Sequence, residues 1–124
     1  MKGKKMNADE MKRRTKAFAL GIIRMAESLP KGRTSDVISR QLLRSGTSVA
    51  ANYRAACRAK SPADFINKMA IVEEETDESI FWMELIVESG LVNEQRIKDL
   101  MAEANEILAI TVSSINTARK RVKL

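Results

Sequence analysis

The chain has 124 residues, a length that one hydrophobic core can serve without disulfide or metal staples. A hydrophobic share of 44% and a charged share of 31%, with five glycines, two prolines and 4% aromatic residues, fit a helical protein and leave little for strands and turns. The formal charge is +6 with a pI near 9.7, and histidine is absent, which removes the usual general base, the Ser-His and Cys-His constellations and the commonest transition-metal ligand.

Cys57 stands alone, so no intrachain disulfide can form, and its RAACRA surroundings read as small helix packing. No apolar run reaches bilayer length, and the basic start is followed by MKRRTK rather than by an apolar segment, so the expected location is the cytoplasm. Residues 1–6, MKGKKM, carry three lysines without apolar pattern and are expected to form a disordered basic tail, with a single domain over 7–124.

The first helix is predicted to start at Asn7, whose side chain caps while Glu10, three residues on, completes a capping box. Its seam is Met11, Thr15, Phe18, Ile22, Met25 and Leu29, and Pro30 with Gly32 ends it. Helix two is predicted to begin near Thr34 or Ser35 as cap, with Asp36 in the first turn and a seam of Ile38, Leu42, Ser45, Val49, Asn52 and Ala56. Its middle, SGTSVAA, is small, so a neighbouring backbone can come close, and that closeness would explain Gly46 despite a cost of about 1 kcal/mol relative to alanine. Asn52 reads as a buried amide that fixes register. Arg40, Arg44, Arg54 and Arg58 project into a basic stripe about 80° wide.

Ser61-Pro62-Ala63-Asp64 is a strong start for helix three: a serine cap, proline where its missing N–H costs nothing, and an acid three after the cap. The stretch Ser61–Gly90 holds eight acids against Lys68 alone, so the rest of the chain carries +13. Phe65, Met69, Val72, Thr76 and Met83 form its core stripe, with Ser79 and Ile86 more lateral, and Glu73, Asp77, Glu84 and Glu88 flank that stripe in a sector about 60° wide. Ile71, Trp82 and Leu85 fall on the far side with Glu75 and Glu78. Apolar patches with a tryptophan are rare on monomers, so Ile71, Glu78, Trp82 and Leu85 read as an oligomer interface. Gly90 supplies the αL stop, Asn93 caps helix four, and the seam Ile97, Met101, Ala104, Leu108, Thr111, Ile115, Ala118, Val122 follows without a slip. Four helices on short loops give an all-α, up-down-up-down antiparallel four-helix bundle.

No GxxxxGK loop, dinucleotide fingerprint or fixed repeat occurs. A di-metal carboxylate site is disfavoured, since it needs Glu-x-x-His pairs and inward acids that helix two lacks; no metal, cofactor or catalytic residue is expected. The acids Glu73, Asp77 and Glu84 are instead expected to pair with Arg40, Arg44, Arg54 and Arg58, within a subunit or across an interface, setting register and partner choice. The remaining bases, Lys12, Arg13, Arg14, Lys16 near the start and Arg119, Lys120, Arg121, Lys123 at the end, fit a phosphate-contacting surface for RNA or DNA backbone. Ordinary solubilising charge accounts for the same excess, and no base-reading motif is present.

The run from LPKGRTSDVISR to IFWMELIVESG resembles the bacterial four-helix bundle proteins first noticed as products of intervening sequences in 23S rRNA genes. The resemblance rests on LPK before helix two, on QLLRSGTSVAANYRAA with Ser48 and Asn52, on Ser61, Asp64 and Phe65, and on the acidic run leading through Trp82 to Glu84 and Leu85. It covers roughly residues 18 to 90; at Ala55-Ala56, where many members carry Glu-Gly, this chain departs. It implies a homo-oligomer, with ring-shaped pentamers as the associated form, and distant similarity to the accessory proteins of diversity-generating retroelements, which are basic, bind nucleic acid and dock on a reverse transcriptase. No catalytic residue is carried over. The expectation is a non-enzymatic oligomeric bundle binding nucleic acid; the alternative is a protein-interaction scaffold or accessory subunit for a reverse-transcriptase-like partner.

Overall fold

Local start and stop signals divide the chain into four helices, and the computed structural model describes residues 6–123. Asn7 Oδ1 accepts the Glu10 backbone N–H at 2.8 Å while Glu10 Oε1 accepts that of Asn7 at 3.1 Å, which closes the capping box on α1 (Ala8–Ser28). Helix α2 (Arg33–Ala56) does not use the expected Thr34 or Ser35 cap. It starts two or three residues earlier, from Gly32 at φ 154° and ψ 164°, a backbone region almost reserved for glycine, and Ser35 is buried in its first turn. Helix α3 (Pro62–Glu88) opens as expected, with Ser61 Oγ accepting the Asp64 N–H at 3.1 Å. It closes in a Schellman motif: with Gly90 at φ 81°, the Leu91 N–H reaches the Ile86 carbonyl at 3.1 Å and the Gly90 N–H that of Val87 at 3.0 Å. Asn93 then caps α4 (Glu94–Val122).

Among the described residues there is no strand, and the helices alternate in direction as the short loops require. Three contacts set the register. Ile22 of α1 lies on Gly46 of α2, Ser45 of α2 meets Ser79 of α3 with their Oγ atoms 3.0 Å apart, and Gly21 of α1 faces Leu100 of α4. The core runs between all four helices through Phe18, Ile22, Leu42, Val49, Met69, Val72, Met83, Ile97 and Ile107. Buried hydroxyls do not disturb it, because Thr15, Thr76 and Thr111 each donate to the carbonyl four residues earlier.

The projected seams need four corrections. Asn52 is only half-buried, its Nδ2 donating to the Ser48 carbonyl of its own helix, and Tyr53 takes the inward position. On α4 Ile107 is fully buried and Leu108 half-buried, while Val122 lies beyond the core at 52% exposed. A strict alternation of fours and threes drifts about 20° per heptad on a straight helix, so its centre slides off by one residue. Cys57 packs against nothing inward; it is exposed at the end of α2. Residues 1–5 of the expected tail lie outside the described residues, but Met6 is half-buried against the core.

A Cβ built on Gly46 would sit 2.6 Å from Ile22 Cγ1 and 2.7 Å from its Cγ2, so glycine is a packing requirement here. Gly46→Ala gains about 1 kcal/mol of helix propensity and loses about 1–3 kcal/mol to overpacking, and a net fall in melting temperature is expected. Ile22→Ala alone leaves a cavity costing about 2–5 kcal/mol. The double variant is expected to cost less than the sum of the two; strict additivity in thermal melts would contradict the contact.

Candidate nucleic-acid interface

Antiparallel order determines which charges become neighbours. Because α1 and α3 run opposite to α2 and α4, the start of α1, the end of α2, the start of α3 and the end of α4 share one end of the bundle. That end gathers Lys12, Arg13 and Lys16 from α1, Arg54 from α2 with Arg58 and Lys60 just after it, and Arg119, Lys120, Arg121 and Lys123 from the end of α4. All are exposed except Lys12, which is half-buried. The acids nearby are engaged locally. Glu10 belongs to the capping box, Asp9 lies 3.8 Å from Lys12, and Asp64 accepts from Lys68 Nζ at 2.8 Å and from the Lys60 N–H at 3.0 Å. Lys68 and then the Lys60 amide hold the Asp64 carboxyl below its ordinary value.

Arg14 drops out of the expected phosphate set. Its Nε donates to Glu103 at 2.6 Å and its Nη2 to Glu103 at 2.9 Å and to Glu106 at 2.5 Å, clasping α1 to α4. These carboxylates raise the guanidinium pKa further above its already high value. A half-buried arginine held by two acids on a facing helix is a structural link, and no charge is left over for a ligand.

The expected pairing between α2 and α3 uses other partners. Arg44 bonds to Glu75 at 3.2 Å and, more closely, to Glu78. Glu73, Asp77 and Glu84 make no ion pair among the described residues, nor do Arg40, Arg54 and Arg58. Ser79 gives the physical reason. It faces α2, and Glu75 and Glu78 lie on its side of α3, whereas Glu73, Asp77 and Glu84 project about 120–160° around the helix from it. Which flank of α3 meets α2 is a property of the bundle's handedness, which a single-helix projection does not contain. Arg54 and Arg58 sit near the basic end, well away from the acids, and their place there was readable from the antiparallel order alone.

Of the four residues expected at an interface, Glu78, Trp82 and Leu85 share the flank of α3 beside α2, with Trp82 packed against the core, and Ile71 lies three turns earlier on the same flank. Ile71 is exposed, Trp82 and Leu85 are half-buried, and Trp82 Nε1 donates to Glu78 at 3.0 Å. Phe81, outside the expected stripes, is 47% exposed and packs edge-on against Trp82 with ring centroids 5.0 Å apart. Glu78 thus accepts from both Trp82 and Arg44, and the two together hold its carboxyl below the ordinary carboxylate value.

Among the described residues no cluster of His, Cys, Asp or Glu could hold a metal ion, and no helix is long and apolar enough to cross a membrane.

Glu78 ties the only tryptophan to a titratable group. Its folded pKa is depressed, so the stability it contributes is full above the unfolded value of about 4.3 and is lost as pH falls through the lower folded value. Trp82 emission is therefore expected to stay level down to about pH 4.3 and to step only below it, with helicity followed in parallel by circular dichroism. Glu78→Gln should remove that step. A step centred above the ordinary carboxylate value would contradict the bond.

The comparisons with known proteins agree with this architecture. The model of a family described as 23S rRNA-intervening sequence protein matches residues 8–113. The crystal structure of a protein of unknown function from the S23 ribosomal protein family of Bacteroides thetaiotaomicron is similar, with a TM-score of 0.83 and 33% sequence identity, covering 90% of this chain and 99% of that one. No curated protein matches. With most of its length matched and its four helices reproduced in a relative one-third identical, the chain belongs to the 23S rRNA-intervening sequence protein family.

Proposed function

We propose that this protein is a non-enzymatic, homo-oligomeric bundle that holds the phosphate backbone of RNA or DNA on its basic end. The observation that supports this reading is the gathering of ten bases from α1, from α2 with the loop after it, and from the end of α4 at one end of the bundle, of which only Lys12 has an acid within ion-pair distance among the described residues. Lysines and arginines that outnumber the acids around them create a local positive potential, and phosphate backbones release counterions when they meet one. The set keeps Lys12, Arg13, Lys16, Arg119, Lys120, Arg121 and Lys123, gains Arg54, Arg58 and Lys60, and loses Arg14.

Assembly is assigned to the exposed apolar residues of α3, Phe81 beside Trp82 and Leu85, with Ile71 three turns earlier on the flank of Trp82. Aromatic residues around a satisfied charge cluster resemble an interface core more than a solvated flank. Repeating the subunit repeats the basic end, so that weak phosphate contacts add as an avidity. The same apolar face is the feature that would serve the competing reading, a scaffold for a protein partner.

Fluorescence anisotropy with a labelled RNA 20-mer at several salt concentrations tests the first claim. Affinity is expected to fall steeply with salt, and each of Arg54→Ala, Arg58→Ala and Arg121→Ala to reduce the log–log slope by about one, whereas Arg40→Ala at the other end should leave it unchanged. No binding at low salt would overturn the nucleic-acid reading and favour the scaffold. Light scattering tests assembly: Trp82→Glu or Phe81→Glu should release a helical 13.9 kDa monomer, and a wild type already at that mass would overturn the assembly.

A further inference from the structure

The basic end also contains a cleft that the charge count does not explain. In the antiparallel register fixed by Gly21 with Leu100 and by Arg14 with Glu103 and Glu106, α1 begins level with about Val112, and α4 continues for about two and a half turns past it. Around the start of α1, Met6 and Arg14, the start of α3 and the last turns of α4 enclose a cleft of about 820 Å³, within the size range of ligand sites. Its walls are apolar, with Pro62 and half-buried Phe65 on α3 and half-buried Ile110 on α4.

The hydroxyls in it are unspent. Thr111, one turn earlier and facing the core, returns its hydroxyl to the Ile107 carbonyl, but among the described residues Ser114 and Thr117 make no side-chain hydrogen bond and line the cleft instead. Arg121, one turn after Thr117, stands at the mouth without an acidic partner among the described residues, beside Lys120 and Lys123. Arg14 also borders the cleft, but its charge is taken by Glu103 and Glu106. A ligand matched to this site has a flat apolar face for Phe65 and Ile110, edge donors or acceptors for the hydroxyls of Ser113, Ser114 and Thr117, and a negative charge outside for Arg121 at the mouth.

Building on the backbone-binding reading above, we infer that the cleft takes an unpaired base of a single-stranded nucleic acid while the adjoining phosphates lie on Arg121 and the bases around it. Stacking on an aromatic or apolar wall accepts any base and adds to backbone electrostatics. Duplexes keep their bases inside the stack, so they would use the basic end alone. Single-strand binding then has a base-dependent component that charge-only duplex binding lacks.

The test compares three labelled 12-mers on the assembled protein: an oligo-uridine, an abasic strand of the same length, and a duplex. Wild type should prefer oligo-uridine to the abasic strand by about tenfold or more. Phe65→Ala, which opens one wall, and Thr117→Trp, which fills the cleft from its exposed side, should each abolish that preference while leaving duplex affinity and its salt slope unchanged. Two variants are used because Phe65 also touches the core, and circular dichroism checks that both are folded. Equal affinity of wild type for oligo-uridine and the abasic strand, or variants that leave the preference intact, would overturn the cleft assignment while backbone binding stands. Failure of all three probes to bind would overturn the cleft together with the backbone reading.

Discussion

Short loops leave each helix only one course, back alongside the helix before it. Residues 29–32, 57–61 and 89–93 are too few to cross the bundle, so α1 through α4 alternate in direction and their neighbours are decided before any side chain packs. Every surface described above follows from that constraint. It places basic segments that are far apart in sequence at one end, it brings Gly46 under Ile22, and it sets α3, with its acids, between α2 and α4.

Features set by a few adjacent residues were legible from the chain alone. The Asn7–Glu10 box, the Ser61-Pro62 start, the Gly90 stop and the Asn93 cap each close within about one turn, and the structure reproduces them because local hydrogen bonds need no distant partner. The exception is α2. Thr34 and Ser35 have the side chains of a cap, but Ser35 is drawn inward by the core, and Gly32 supplies a backbone conformation that lets the helix begin earlier. Family membership was legible for a similar reason, since the run from Leu29 to Gly90 keeps its motif residues at fixed spacings.

Close approach at Gly46 was legible, but which charges meet across two helices was not. A projection places Glu73, Asp77 and Glu84 on one flank of α3 and Glu75 and Glu78 on another, yet it cannot say which flank meets α2. Ser79 against Ser45 settles that, and Arg44 reaches Glu75 and Glu78 accordingly. Arg14 is the same lesson in reverse: on α1 alone it is one more base in KRRTK, and only the approach of α4 gives it Glu103 and Glu106. The cleft beside Phe65 is less legible still, because it arises from an unequal overlap of α1 and α4 rather than from any residue type.

The acid flank of α3, without ion pairs among the described residues, still acts on anything charged that approaches. Its carboxylates begin at Glu73, beyond the basic end, and continue to Glu88 at the opposite one, so the bundle carries a charge gradient along its axis rather than a uniform +6. A polyanion is repelled by the acidic stretch and attracted by the basic end, and within a Debye length of about 8 Å these fields orient it before contact. Solubilising charge alone would not need to be sorted in this way, because mixed signs spread over the surface serve solubility as well. The sorting therefore bears on approach and register, and Trp82 lies on the same helix within the acidic stretch, so that a subunit docking through that face would leave the basic end open.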